Sequence, residues 1–156
     1  MNSPVDVTGL SENTGGVAMD RQRLTRVLVV EDATDLLEIY RRHLVRLGCE
    51  VLGAATGRIA LDLASEFDPD LAFVDTMLPD MLGTSVVDAI RADPRTQRCV
   101  IVIASGLDAE VQDTHGDAVM PKPFTGADLE AILQWFAERP DTAAGRTPGS
   151  AAEEPQ

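Results

Sequence analysis

VLVVEDATDLLEIYRRHLVRLGCEVLGA, residues 27–54, decides the fold. It opens on four apolar residues with no polar alternation, passes two acids, Glu31 and Asp32, and then changes period. Leu36, Tyr40, Leu44 and Leu47 recur at helical spacing, and Asp35 with Glu38 has the form of a capping pair. Gly48 supplies a helix stop before a second apolar run, EVLGA (50–54). A strand with no polar face is buried on both sides, and an amphipathic helix leading to the next strand covers one of them. The stretch therefore reads as one β–α–β unit of a parallel sheet.

The same alternation continues outward. Further apolar runs are LAFV (71–74), VIVIA (100–104) and DAVM (117–120). Thr56 caps a predicted helix carrying Ala60, Leu61, Ala64 and Phe67 and ended by Asp68-Pro69. Thr84 or Ser85 opens one with Val86, Val87 and Ile90, ended before Pro94. Thr125-x-x-Asp128 is a capping box ahead of the stripe Leu129, Ile132, Leu133 and Phe136. The stretch LDAEVQDTHG after Gly106 has room for only about two helical turns. Five strands and five helices in strict alternation, the fourth helix short, predict a doubly wound α/β sheet with right-handed crossovers. Such sheets bind ligands outside the carboxyl ends of their strands.

The 156 residues are 44% apolar, enough for one domain with a packed core. Acids number 26 against 13 bases, a formal net charge of −13, which disfavours a nucleic-acid backbone or an anionic membrane surface as direct partner. No 18-residue apolar run is present, and MNSPVDVTGLSENTGG at the start lacks the basic and apolar regions of a secretory signal. Cys49 and Cys99 match no metal spacing and read as buried core residues of a reduced, cytoplasmic protein. His43 and His115 are isolated and are assigned no role. Residues 1–24 read as a flexible arm, with Met1 or Met19 as the start, 25–139 as the domain, and 140–156 as a disordered acidic tail with no output domain attached.

Parallel strands would bring several polar residues to one edge: Glu31 and Asp32 after the first strand, Asp75 after the third, Ser105 after the fourth and Lys122 after the fifth. Each alone has an ordinary explanation, such as acids ahead of a helix N-terminus or a turn residue before Leu78-Pro79-Asp80. Together they make a site. Three converging carboxylates repel unless a cation joins them, and an all-oxygen set without His or Cys suits Mg²⁺. A carboxylate beside such an ion can accept a phosphoryl group. Lys122 is the only lysine beside twelve arginines, and its compact charge suits phosphoryl oxygens.

The order of these residues resembles the receiver domain of bacterial two-component response regulators. VLVVEDATDLL is similar to that family's first strand with its acidic pair, and FVDTMLPDMLG to its phosphoacceptor segment, with Pro79 four and Gly83 eight residues after Asp75. Ser105 stands thirty residues after Asp75, as the family's switch Ser/Thr does, and PKPF is similar to its lysine and following cis-proline. The resemblance covers about residues 25–138. It implies a flavodoxin-like five-stranded sheet of order 2-1-3-4-5. It also implies Mg²⁺ held by Glu31, Asp32, Asp75 and the Met77 carbonyl. Phosphoryl transfer to Asp75 would come from a histidine kinase or phosphotransfer protein, with Ser105 and Lys122 binding the phosphoryl group. Output would be a contact with a downstream target protein rather than enzymatic turnover. Val119 replaces the family's switch aromatic, the 105–122 connection is about five residues short, and Met120-Pro121 removes a backbone donor at the last strand's end. Two alternatives remain. One is a phosphorylation-independent interaction module with the same fold. The other is a Mg²⁺-dependent phosphohydrolase with an aspartyl nucleophile, although Glu31-Asp32 lacks the Asp-x-Asp spacing of haloacid dehalogenase-type enzymes and little chain is left for a substrate cap.

Overall fold

The computed structural model describes residues 23–106 and 115–140. In chain order these form β1 (Arg26–Val30), α1 (Thr34–Arg46), β2 (Glu50–Ala54), α2 (Gly57–Phe67), β3 (Leu71–Asp75), α3 (Gly83–Ala92), β4 (Val100–Ser105), β5 (Ala118–Pro121) and α4 (Gly126–Glu138). The strands pair in parallel in the order β2-β1-β3-β4-β5. Successive side chains of a strand point to opposite faces, and the core divides accordingly. Val27, Val29, Phe73 and Val102 pack with Tyr40 and Leu44 of α1 and Leu129, Ile132 and Phe136 of α4. Leu28, Val30, Val74 and Ile103 pack with Ala60 and Ala64 of α2 and Val86, Val87 and Ile90 of α3. Both faces are covered, which is why the strands are apolar throughout. Cys49 and Cys99 are buried in this core, as predicted.

Helix starts agree with the sequence where the cap is local. Thr56 Oγ1 accepts the Ile59 N–H at 3.1 Å, and Thr125 with Asp128 completes the predicted capping box. Two predicted caps do not form. Ala33 is the first cap residue of α1, and Glu38 turns instead to Arg41 and Arg42. The helix α3 starts at Gly83, ahead of Thr84 and Ser85, because the Gly83 N–H donates to the Thr76 carbonyl at 2.7 Å and fixes the entry of the chain. A Cβ at Gly83 would collide with the Asp75 carbonyl oxygen, so only glycine fits there. Four helices lie within the described residues. The short helix expected after Ser105 falls on 107–114, outside them, as do most of the predicted arm and tail; Arg23, at the end of that arm, pairs with Asp70 at 2.9 Å. The last strand is a short edge strand whose Val119 is 48% exposed and whose Pro121 lies opposite Ser105 at its end.

The amino ends of the strands are held by side-chain clamps. Buried Asp70 accepts the Arg26 N–H at 2.8 Å and the Arg23 guanidinium. Asp117 accepts the Ile101 N–H at 2.8 Å and Arg91 at 2.7 Å. Arg91 also donates to the carbonyls of Gln97, Cys99 and His115, joining the end of α3 to the starts of β4 and β5.

Candidate functional site

The register sets the carboxyl ends of the central strands level: Val30 lies opposite Val74, Asp75 opposite Ala104, and Ser105 opposite Pro121. The residues just past these ends therefore share one edge. Glu31, Asp32 and Asp75 each offer a carboxylate oxygen, and these atoms lie within 4.8 Å of one another. Glu31 and Asp75 are buried, while Asp32 is exposed at the rim.

One cation reaches the cluster from across the sheet. The Lys122 ammonium donates to Glu31 Oε1 at 2.9 Å and to Asp75 Oδ2 at 3.1 Å. Its position is set from two sides. The Lys122 N–H donates to the Ser105 carbonyl at 2.8 Å, and after the cis Lys122–Pro123 peptide the Phe124 N–H donates to the Tyr40 hydroxyl at 3.1 Å. The Phe124 ring packs between Tyr40 and Phe73, with centroids 4.9 and 5.5 Å apart. Tyr40 thus supports the site from α1. In the sequence it appears only as part of an apolar stripe; the unlike chemistry of a hydroxyl within that stripe is the one signal it gives.

The electrostatics are those of a site short of positive charge. Burial pushes the Glu31 carboxyl above its ordinary value and the Asp75 charge adds to the rise, against the opposing Ala33 N–H and Lys122. For Lys122, burial pulls down, but the hydrogen bonds and charges of Glu31 and Asp75 outweigh it and hold the ammonium protonated above its ordinary range. Two buried acids facing one lysine, with Asp32 beside them, favour a further cation. Carboxylate oxygens with no His or Cys among them fit a hard divalent ion.

The loop from Asp75 to α3 closes on itself. Besides the Thr76–Gly83 hydrogen bond, the Leu78 N–H donates to the Met81 carbonyl at 3.1 Å, and Met77 bridges Leu82. The Met77 N–H points to Asp75 Oδ1 at 3.4 Å, and its side chain is 68% exposed beside the cluster. Ser105 is buried at the end of β4. All six predicted site residues therefore lie at or beside one strand edge. Leu107, two residues past Ser105 in the chain, lies outside the described residues. Neither histidine belongs to the acidic cluster: the His43 ring lies against Gly126, and His115 pairs with Asp88 at 2.9 Å.

Comparison with known proteins agrees with this geometry. A family model, "Response regulator receiver domain", matches residues 27–134. The transcriptional regulatory protein PrrA of Mycobacterium bovis is 38% identical over 117 residues, covering 73% of this chain and 50% of PrrA. The chain thus spans about half the length of the curated relatives it matches. A response regulator receiver domain (CheY-like) from Methylobacillus flagellatus superposes with a TM-score of 0.68 at 31% identity, covering 72% of this chain and 98% of that one. The receiver domain of a sensor histidine kinase from Pseudomonas aeruginosa, solved with magnesium coordinated in its active site cleft, gives 0.66 at 27%, covering 72% and 97%. Among the described residues no helix is long and apolar enough to cross a membrane. With its sheet order, its strand-edge acids and a family match across more than half its length, this chain belongs to the response regulator receiver domains, the signalling modules of two-component phosphorelays.

Proposed function

We propose that Asp75 accepts a phosphoryl group from a histidine kinase or a phosphotransfer protein, and that the phosphorylated domain changes its contacts with a downstream target protein. The observation that carries this reading is the Lys122 ammonium held between Glu31 at 2.9 Å and Asp75 at 3.1 Å, inside a cluster of three carboxylates. Glu31, Asp32, Asp75 and the Met77 carbonyl would hold Mg²⁺, which supplies Lewis-acid neutralisation of phosphoryl charge when bound.

The chain's own groups do the rest. A carboxylate oxygen of Asp75 attacks the donor phosphorus, forming an O–P bond as the donor P–N bond breaks. The departing imidazole nitrogen keeps the bonding pair and is protonated within the donor or by water. Burial limits water at Asp75 and strengthens each electrostatic contact there. Lys122, kept charged by its two acids, follows the phosphoryl oxygens as negative charge arrives. The Ser105 hydroxyl, one strand across, offers a donor to another of those oxygens. The net charge of −13 speaks against this chain itself gripping a nucleic-acid backbone, so output runs through protein contact.

Incubation with Mg²⁺ and a small-molecule acyl phosphate, followed by intact mass, tests the reading. A gain of one phosphoryl group that disappears in Asp75→Asn is expected. A gain retained by Asp75→Asn, or steady phosphate release from varied phosphomonoesters, overturns it, the second in favour of a hydrolase.

A further inference from the structure

The tip of the loop between Asp75 and α3 is tied to a different helix. Asp80 lies in the turn closed by Leu78 and Met81, and its carboxylate leaves that turn. Oδ1 accepts the Gly57 N–H at 2.8 Å and Oδ2 the Arg58 N–H at 2.9 Å. These are the first two free donors of α2; the third, from Ile59, goes to Thr56 Oγ1. So α2 has a local cap and a second one supplied from 22 to 23 residues away. Met81 packs where a Cβ on Gly57 would stand, so the loop and the helix start are in direct contact. At its base, the same loop is fixed to Asp75 by the Met77 N–H and to Thr76 by the Gly83 N–H. A short closed loop pinned at both ends passes movement at one end to the other.

We propose that Asp80 is a positioning residue for the phosphoacceptor loop: by capping α2 it fixes the turn that carries the Met77 carbonyl, so that filling of the acidic pocket and order at the start of α2 rise together. The inference rests on the reading of that pocket as a Mg²⁺ site. Asp80 touches neither the ion nor the reacting atoms; it acts through the loop. An outer partner of this kind typically changes metal affinity by about tenfold or more. The cap also links the pocket to the β2 side of the sheet, since α2 packs on β2 and β1. That route is independent of the exposed Val119 on the opposite edge.

The experiment is a Mg²⁺ titration by calorimetry, paired with amide exchange on the peptide covering the start of α2, for the parent, Asp80→Ala, Asp80→Asn and Thr56→Ala. In the parent, Mg²⁺ should slow exchange at Gly57 and Arg58, which lie outside the acidic cluster. Asp80→Ala should weaken Mg²⁺ by about tenfold and abolish the Mg²⁺ dependence of that exchange. Asp80→Asn, which keeps one acceptor oxygen, should recover part of the affinity. Thr56→Ala removes the other cap of the same helix without touching the loop, so it should loosen α2 yet weaken Mg²⁺ binding clearly less than Asp80→Ala does. The proposal is overturned if Asp80→Ala binds Mg²⁺ as the parent does, or if Thr56→Ala weakens binding equally. A parent that shows no Mg²⁺ binding, with Asp32→Ala indistinguishable from it, overturns the metal site itself and the inference with it.

Discussion

The two edges of the sheet use the same kinds of residue to opposite ends. At the amino edge, carboxylates are matched by donors: Asp70 by Arg23 and the Arg26 N–H, and Asp117 by Arg91, Arg139 and the Ile101 N–H. These clamps hold strand starts and helix ends in place. At the carboxyl edge, Glu31 and Asp75 share one lysine with Asp32 beside them, and burial raises the Glu31 pKa. A matched charge contributes to stability, whereas a surplus of one sign in a partly buried place is a binding capacity kept at some cost to the empty fold.

The largest effect should appear when the matched edge is broken. Asp70→Ala strands a backbone N–H and an arginine beside a buried position and should destabilise the domain by about 3 kcal/mol in denaturant titration. Asp32→Ala, at the exposed rim of the other edge, should leave metal-free stability unchanged or raised. Equal losses from both would erase the distinction.

Mg²⁺ should next restore what the carboxyl edge lacks. If it binds only the folded state, stabilisation reaches about 2.7 kcal/mol at a hundredfold excess over Kd. Thermal melting with and without Mg²⁺ should show this in the parent and lose it in Asp32→Ala.

A smaller effect concerns pH. The folded pKa of Glu31 lies above the ordinary 4.5, so between those values the native protein holds more protons than the unfolded chain. Metal-free stability from this group therefore grows as pH falls through that window and is lost as pH rises past it. In metal-free protein, Glu31→Gln should melt above the parent at neutral pH, with the gap closing as pH drops toward 4.5. A gap that widens on acidification would contradict the repulsion picture.

The smallest effect is kinetic. Met77 is apolar and exposed beside the cluster, and it has no group to orient a water behind the phosphorus. Met77→Asn, paired with a polar residue in place of Leu107, should shorten the lifetime of the aspartyl phosphate by a modest factor, read by the decay of the added mass. An unchanged lifetime would mean that side chains at these positions do not limit hydrolysis.

What was legible in the sequence was whatever a short window encodes. The unbroken apolar runs at 27–30, 71–74 and 100–104 record burial on both faces and so the parallel sheet. Thr56 and the Thr125–Asp128 box cap their own helices within one turn. The site residues were legible because each ends or closely follows a strand, and level strand ends gather them without further instruction. Their strand order came from family resemblance rather than from the runs.

Contacts between distant segments were decided only by the tertiary structure. The Asp35–Glu38 pair has the pattern of a cap, yet Ala33 takes that place, its N–H bound by Glu31, and Glu38 finds arginines. Asp80 has the look of an ordinary turn residue, and nothing near it in sequence points to Gly57 and Arg58. Tyr40 gives no sign that its hydroxyl will meet the Phe124 N–H across 84 residues. The sequence by itself determined the elements and the chemistry at their ends, since burial, periodicity and residue type are local properties. Which carboxylate is matched and which is left over was decided by packing, because a charge's partner depends on what folding brings within hydrogen-bond reach.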